Sequence, residues 1–280
     1  MKHKVRITVL VENSVHLRGL RAEHGLAWHI QFGPHAVLFD TGQTELLIDN
    51  AAALGVSLDA LDAVVLSHGH YDHTGGLAAV LEQSPRARLF LHPAALDSKF
   101  SLQSDGSARV VGMQDASRSA LARNRERVVE SRTCTEVVPG LFLTGEIPRR
   151  TEYEDVGGRF YLDEGCTQPD MLTDDQALFF DTAEGLVVLL GCGHAGVVNT
   201  VRHIRELAGQ RPVHTVLGGF HLLHASAARL DRTVEELRAL GLRQLGPAHC
   251  TGLTATTRLW SELADRCVAV AVGARFRFER

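Results

Sequence analysis

The chain has 280 residues, 45% apolar and 22% charged, the balance of a folded protein with a sizeable core, which excludes disorder as a description of the whole. Its 29 Lys and Arg against 33 Asp and Glu give a formal charge of -4, so there is no basic field for a phosphate backbone and nucleic acid is not an expected partner. The unusual number is 15 histidines, and the question it raises is which of them do chemistry.

In chain order, residues 5–11, 28–32 and 36–40 read as short strands rich in Val, Ile, Leu and Phe, with Gly33-Pro34 turning between the last two. The run 5–11 contains Arg6 and is followed by Glu12, which suits a first strand and not a secretory leader; no stretch approaches the ~20 apolar residues of a membrane span. Residues 45–54 have helical spacing, with Gly55 as the stop. Residues 63–66 form a buried strand, and 75–82 a helix capped by Thr74. From 93 to 172 the pattern loosens, with one helix around 118–127 and a hairpin around 137–144. We read 1–280 as a single domain in which 93–172 is an insertion or lid over the active-site face.

Alternation then returns. Residues 177–181 and 186–190 flank the turn Ala183-Glu184-Gly185, and helices at 198–207, 228–240 and 256–263 enclose strands at 215–217 and 243–245. The five cysteines (Cys134, Cys166, Cys192, Cys250, Cys267) are odd in number and never in a C-x-x-C pair, so neither a disulfide framework nor a zinc ribbon is indicated. A reducing cytoplasm is the expected home.

The decisive segment is Leu66-Ser67-His68-Gly69-His70-Tyr71-Asp72-His73-Thr74-Gly75-Gly76. Its H-x-H-x-D-H pattern arises by chance roughly 0.002 times in a chain of this length and composition. In an extended loop leaving a strand, residues two apart point the same way, so His68 and His70 can grip one metal together. Asp72 and His73 lie where the chain turns into a helix and can face a second metal. Gly69 gives the backbone room, and Gly75-Gly76 let the helix pack close. Imidazole and carboxylate donors suit Zn2+ first, with Mn2+ or Fe2+ as the other candidates.

These residues carry a family resemblance. The H-x-H-x-D-H loop, preceded by Leu38-Phe39-Asp40-Thr41-Gly42, closely resembles the metallo-β-lactamase-fold superfamily of metallohydrolases. Glu23-His24-Gly25-Leu26, Gly191-Cys192-Gly193-His194-Ala195-Gly196, Gly218-Gly219-Phe220-His221-Leu222 and His249-Cys250-Thr251-Gly252 look like the branch of dihydropterin ribofuranosyl-aminobenzene phosphate synthase-like proteins. The resemblance implies an α/β fold, a four-layer αββα sandwich, with one or two metals where loops of both halves meet. It implies His194 and His249 as further ligands, each at a strand's end, and His221 as a substrate contact, a catalytic donor or a ligand. Many superfamily members bridge their metals through an Asp. Here the comparable turn is Gly191-Cys192, so Cys192, His194 or His221 are the candidates for that place.

His24 is a plausible neighbour of the site, whereas His3, His16, His29, His35, His92, His203, His214 and His224 lack ligand spacing and are read as surface or packing residues. Asp174-Asp175-Gln176 matches the branch but reads first as a solvated turn, and Cys250 as a small buried residue. The expected activity is hydrolysis of an ester, amide, lactone or phosphoester by metal-bound hydroxide, with Asp72 orienting the nucleophile and taking its proton and His221 stabilising the oxyanion. Two other readings keep the metal: a synthase-like condensation, for which Arg149-Arg150 could hold a phosphate, and an iron-dependent redox protein. The expected partner is a small-molecule substrate; the sequence sets no oligomeric state.

Overall fold

Short apolar strands that alternate faces need cover on both sides, and the fold supplies it. The computed structural model describes residues 4–280, so His3 lies outside the described residues. The first half runs β1 (Lys4–Val11), β2 (Ala27–Phe32), β3 (His35–Phe39), α1 (Leu46–Leu54), β4 (Ala63–Val65), α2 (Tyr71–Thr74), α3 (Leu77–Gln83) and β5 (Arg88–Leu91). It continues through β6 (Phe100–Leu102), β7 (Ala108–Val110), α4 (Asp115–Arg123), β8 (Val128–Glu130), β9 (Thr135–Val138), β10 (Leu141–Leu143) and β11 (Phe160–Tyr161). The second half comprises β12 (Ala177–Thr182), β13 (Gly185–Leu190), α5 (Val197–Leu207), β14 (Val213–Gly219), α6 (Ala227–Ala239), β15 (Gln244–Ala248), α7 (Leu253–Glu262) and β16 (Arg275–Glu279).

One sheet has the order β16-β1-β2-β3-β4-β5-β8 and the other β15-β14-β13-β12-β10-β9. Ile7, Val37, Phe39 and Val65 of the first meet Leu178, Phe180, Val187 and Leu189 of the second in the central core. Their neighbours in sequence point the other way. Leu38, Val64 and Leu66 pack with Leu47, Leu77 and Leu121 of α1, α3 and α4, and Leu186, Val188 and Leu190 pack with Val198, Leu237 and Leu259 of α5, α6 and α7. Period-2 strands buried on both faces between helices make the αββα sandwich, each large apolar side chain contributing about 1.5–3 kcal/mol of burial.

Several boundaries differ from the sequence reading. Residues 93–172 are only partly outside the framework: β8 closes one edge of the first sheet, β9 and β10 extend the second, and α4 packs in the first helical layer. β6, β7 and β11 form a separate three-stranded sheet. Thr74 does not cap a helix; its hydroxyl donates to the His70 carbonyl at 3.0 Å, and α3 starts after Gly76 without a side-chain cap. β15 continues past residue 245 through Gly246-Pro247, because it is the edge strand of a parallel pair where a proline's missing N–H is tolerated. No helix among the described residues is long and apolar enough to cross a membrane.

Candidate metal centre

The loops that leave β4, β13, β14 and β15 gather at one end of the sandwich. The first is fixed by close approach. A Cβ on Gly69 would lie 2.2 Å from the Ala95 carbonyl oxygen, and one on Gly75 would lie 1.9 Å from that of Gln43, so both positions require glycine for space. With the backbone so placed, His68 and His70 do point the same way. His68 Nε2 lies 3.0 Å from His70 Nδ1, and His194 Nε2, from the loop after β13, lies 3.2 Å from the same atom.

Asp72 and His73 face the other way, toward the end of β15. Asp72 Oδ2 lies 3.2 Å from His249 Nε2 and 3.9 Å from His73 Nε2, and the two imidazole nitrogens are 3.2 Å apart. Two triads of donors, His68/His70/His194 and Asp72/His73/His249, thus stand side by side. His249 holds its place at a φ of +50°, in the left-handed region that non-glycine residues seldom adopt, and Asp40 does the same at +59°.

The outer nitrogens fix which atoms face inward. Ser67 Oγ donates to Asp40 Oδ2 at 2.7 Å, so it accepts from His68 Nδ1 at 2.8 Å and leaves a lone pair on His68 Nε2. The Val156 carbonyl accepts from His194 Nδ1 at 2.9 Å, with the same consequence for His194 Nε2. Two lone pairs therefore converge on His70 Nδ1. An N–H there would serve one of them, whereas a cation takes all three nitrogens. In the second triad, Asp40 Oδ2 accepts from His73 Nδ1 at 2.7 Å and Asn13 Oδ1 from His249 Nδ1 at 2.9 Å, again turning each Nε2 inward. The donor set fits divalent metal with imidazole preference.

Electrostatics separate the triads. Burial, reinforced by neighbouring imidazoles, holds His68 and His194 well below the ordinary histidine value, and chiefly burial pushes His70 down to about 3. These three offer neutral, ligand-competent nitrogen. Burial also opposes charge on Asp72, but His73, His24 and His249 outweigh it and hold the carboxyl well below its usual range. For His73 burial is likewise outweighed, by Asp40 and Asp72, and its pKa is raised.

Cys192 stands between the triads. Its Sγ is 3.1 Å from His73 Nε2, and it falls within 4.8 Å of the donor atoms of His68 and His194 on one side and of His73 and His249 on the other. Among the three candidates for the bridging place, His194 is taken up in the first triad, and His221 lies to the side, its ring centroid 4.0 Å from that of His194. Cys250 is buried and donates to the Cys192 carbonyl at 3.3 Å, and its Sγ lies within 4.8 Å of the donor atoms of Cys192 and His221. His24 Nε2 lies 3.1 Å from Asp72 Oδ2, so it neighbours the second triad.

Other residues have different places from those expected. Asp174 and Asp175 are buried, not a solvated turn. Asp174 pairs with Lys99 at 3.0 Å and accepts from the Gly69 N–H at 2.8 Å, and Asp175 accepts from the Ala195 N–H at 2.7 Å, so each anchors a loop that carries site histidines. Arg149 donates to the carbonyls of His194 and Met171, and Arg150 pairs with Glu206; neither is among the residues that line the cavity at the centre. Asp40, Asn13, Lys99 and the Val156 carbonyl were not read from the sequence as site residues. Asp40 had the one available signal, a carboxylate ending an otherwise apolar strand.

A cavity of about 1200 Å³ opens onto this centre, lined among others by His24, His70, Asp72, Cys192, His221 and His249. Residues 21–124 match the family model described as the Metallo-beta-lactamase superfamily. The chain is 28% identical, over 92% of its length and 90% of the relative's, to the 7,8-dihydropterin-6-methyl-4-(beta-D-ribofuranosyl)-aminobenzene-5'-phosphate synthase of Methanocaldococcus jannaschii. Among solved structures, it is similar to Tm1679, described as a metal-dependent hydrolase of the beta-lactamase superfamily, with 31% identity, a TM-score of 0.80, and coverage of 97% of this chain and 98% of that one. Zn2+-bound PqqB from Methylobacterium extorquens, 13% identical with a TM-score of 0.59 and covering 97% and 99%, shares the fold.

Proposed function

The chain belongs to the metallo-beta-lactamase superfamily, and from that premise we propose that it is a metal-dependent hydrolase acting on a small molecule through an ester, amide, lactone or phosphoester bond. One observation carries this reading: five imidazoles and a carboxylate aim six donor atoms at two adjacent points on the wall of a large cavity. Structural zinc sites are closed and usually rich in thiolate, whereas this one is open to the cavity and rich in imidazole. His68, His70 and His194 would hold one ion and Asp72, His73 and His249 a second, with Zn2+ the first expectation and Mn2+ or Fe2+ the others. Cys192, between the triads, would be a further donor available to either ion.

Divalent metal bound here supplies Lewis acidity and lowers the pKa of water from 15.7 toward about 7. The chain's own groups do the rest. Asp72, held ionised by His73, His24 and His249, orients the attacking water and accepts its proton. His221, on the cavity wall beside His194, donates to the oxygen on which charge develops. Ser67, Asp40, Asn13 and the Val156 carbonyl keep the imidazoles in their inward-facing tautomers, so no reorientation is needed during the reaction.

The test is a panel of ester, lactone, amide and phosphoester substrates with protein loaded with Zn2+ or Mn2+, before and after chelation. Turnover should vanish with chelator and return with metal. Asp72→Ala and His70→Ala should each lower kcat/KM by more than the about 10- to 100-fold that losing an outer hydrogen-bond partner costs. Unchanged metal content and turnover in both variants would sink the proposal. The likeness to a relative named a synthase favours a second reading, group transfer at the same centre to an acceptor other than water. Release of pyrophosphate in place of simple hydrolysis products would decide for it.

A further inference from the structure

The small sheet β11-β6-β7 takes no part in the sandwich, yet it faces the metal centre. Its register shows which side chains do so. Ser101 on the central strand pairs with Phe160 on one side and with Arg109 on the other. Directly opposed residues of antiparallel strands present their side chains on the same face. The Phe160 ring lies 5.0 Å from that of His70 and 5.3 Å from that of His194, so this is the metal-facing side, and Arg109 and Ser101 share it. All three line the cavity.

Arg109 stands on the cavity wall against Tyr71 and is not neutralised. Its guanidinium lies 5.5 Å over the ring of Tyr71, the residue before Asp72, and donates to the Tyr71 hydroxyl at 3.2 Å. That uses one of five N–H donors. No carboxylate pairs with it among the described residues, nor with Arg159, which lines the same cavity. The two carboxylates of the lining are engaged elsewhere. Glu12 accepts from the His249 N–H and from Ser14, and Asp72 belongs to the centre. A planar cation with free donors, lining the same cavity as His70 and His249, matches a planar or tetrahedral oxyanion.

We propose that Arg109, with Ser101 and Tyr71, is an anion-recognition subsite, and that the substrate carries a phosphate or carboxylate group remote from the bond that reacts at the metal centre. The inference rests on the hydrolase reading for where the reaction occurs, but its test does not need turnover. Zinc-loaded protein is titrated calorimetrically with phenyl phosphate and with benzoate. Arg109→Ala, with zinc content unchanged, should weaken binding by roughly 10- to 100-fold, the weight of charge-assisted hydrogen bonds, and Arg109→Lys should recover part of it. Weakening confined to phenyl phosphate assigns the subsite to phosphates; weakening of both assigns it to oxyanions in general. Equal affinities of wild type and Arg109→Ala for both probes overturn the proposal. A second arm compares 4-acetoxybenzoate with phenyl acetate: Arg109→Ala should lower kcat/KM for the anionic ester alone. If neither ester turns over in any form, the hydrolase reading fails on these bonds while the titration still decides the subsite.

Discussion

The two triads of the centre solve the same problem with opposite electrostatics. His68, His70 and His194 are buried imidazoles whose pKa values burial drives down, so each stays neutral with one nitrogen free of a proton. In the Asp72, His73 and His249 triad a carboxylate keeps its charge against burial, and His73 is drawn toward its protonated form by Asp40 and Asp72. The first triad is a neutral cradle; the second carries the charge. The supports overlap only in part: Lys99 and Asp174 stand behind the loop of the first triad, Asn13 holds the second, and Asp40 serves both, His73 directly and His68 through Ser67.

The largest expected effect tests the framework behind the first triad. Lys99 is fully buried between Asp170 at 2.9 Å and Asp174 at 3.0 Å, and the other oxygen of Asp174 holds the Gly69 peptide between His68 and His70. Burial opposes the ammonium charge, but the two carboxylates outweigh it and raise the Lys99 pKa. Lys99→Met leaves two buried carboxylates without their cation, which costs about 3–5 kcal/mol. Denaturant unfolding of the metal-free variant should show that loss. A shift below about 1 kcal/mol would mean that the pair does not support the loop.

Asp40→Asn and Asn13→Ala then ask whether the triads can be separated. Asp40 holds both His73 and, through Ser67, His68, so its loss should weaken both metals by about 10- to 100-fold. Of the six donor residues Asn13 touches only His249, its other contact being the Gly25 N–H, so its loss should weaken one metal, near the lower end of that range. Zinc titration with elemental analysis reads both stoichiometry and affinity. If Asn13→Ala released both ions together, the centre would be one unit and the comparison of triads would fall.

How much of this was legible in the sequence depends on how local each part is. The H-x-H-x-D-H loop was readable because strand, turn and helix lie within eleven residues and period-2 geometry alone sends His68 and His70 together. The αββα layering followed from the resemblance, and strands such as β12 and β13 from a turn and two apolar runs. Asp174 and Lys99 were not legible: they lie 75 apart in the chain, and nothing in either neighbourhood announces a buried pair. Nor were β5 and the closing strand β16, which was missed beside β1 although its partner was read. The hairpin near 137–144 was readable, but the edge positions of β8 and β9 were not, because pairing and not local pattern defines them. Cys192 was visible as a departure from the expected residue; its place between the triads required the fold.

The smallest expected effect supplies a control on the depressed imidazoles. His29 on β2 is buried opposite Leu38, away from the centre, and its Nε2 has no hydrogen-bond partner. Burial first, then Arg6, lowers its pKa to about 4. The folded state therefore binds fewer protons than the unfolded chain between pH 6.5 and about 4. Stability from this group is fully present above 6.5 and is lost as pH falls through that window. From pH 7.5 to 5.5 the loss is about 1.4 kcal/mol. His29→Leu removes the titrating group, so the stability gap between wild type and variant in metal-free denaturant unfolding should move by that amount in the variant's favour over the same interval. The centre's histidines titrate alike in both proteins and cancel. A gap that stays constant would mean that burial alone does not depress an imidazole in this fold, and the neutrality of the first triad would then have to come from its neighbouring imidazoles.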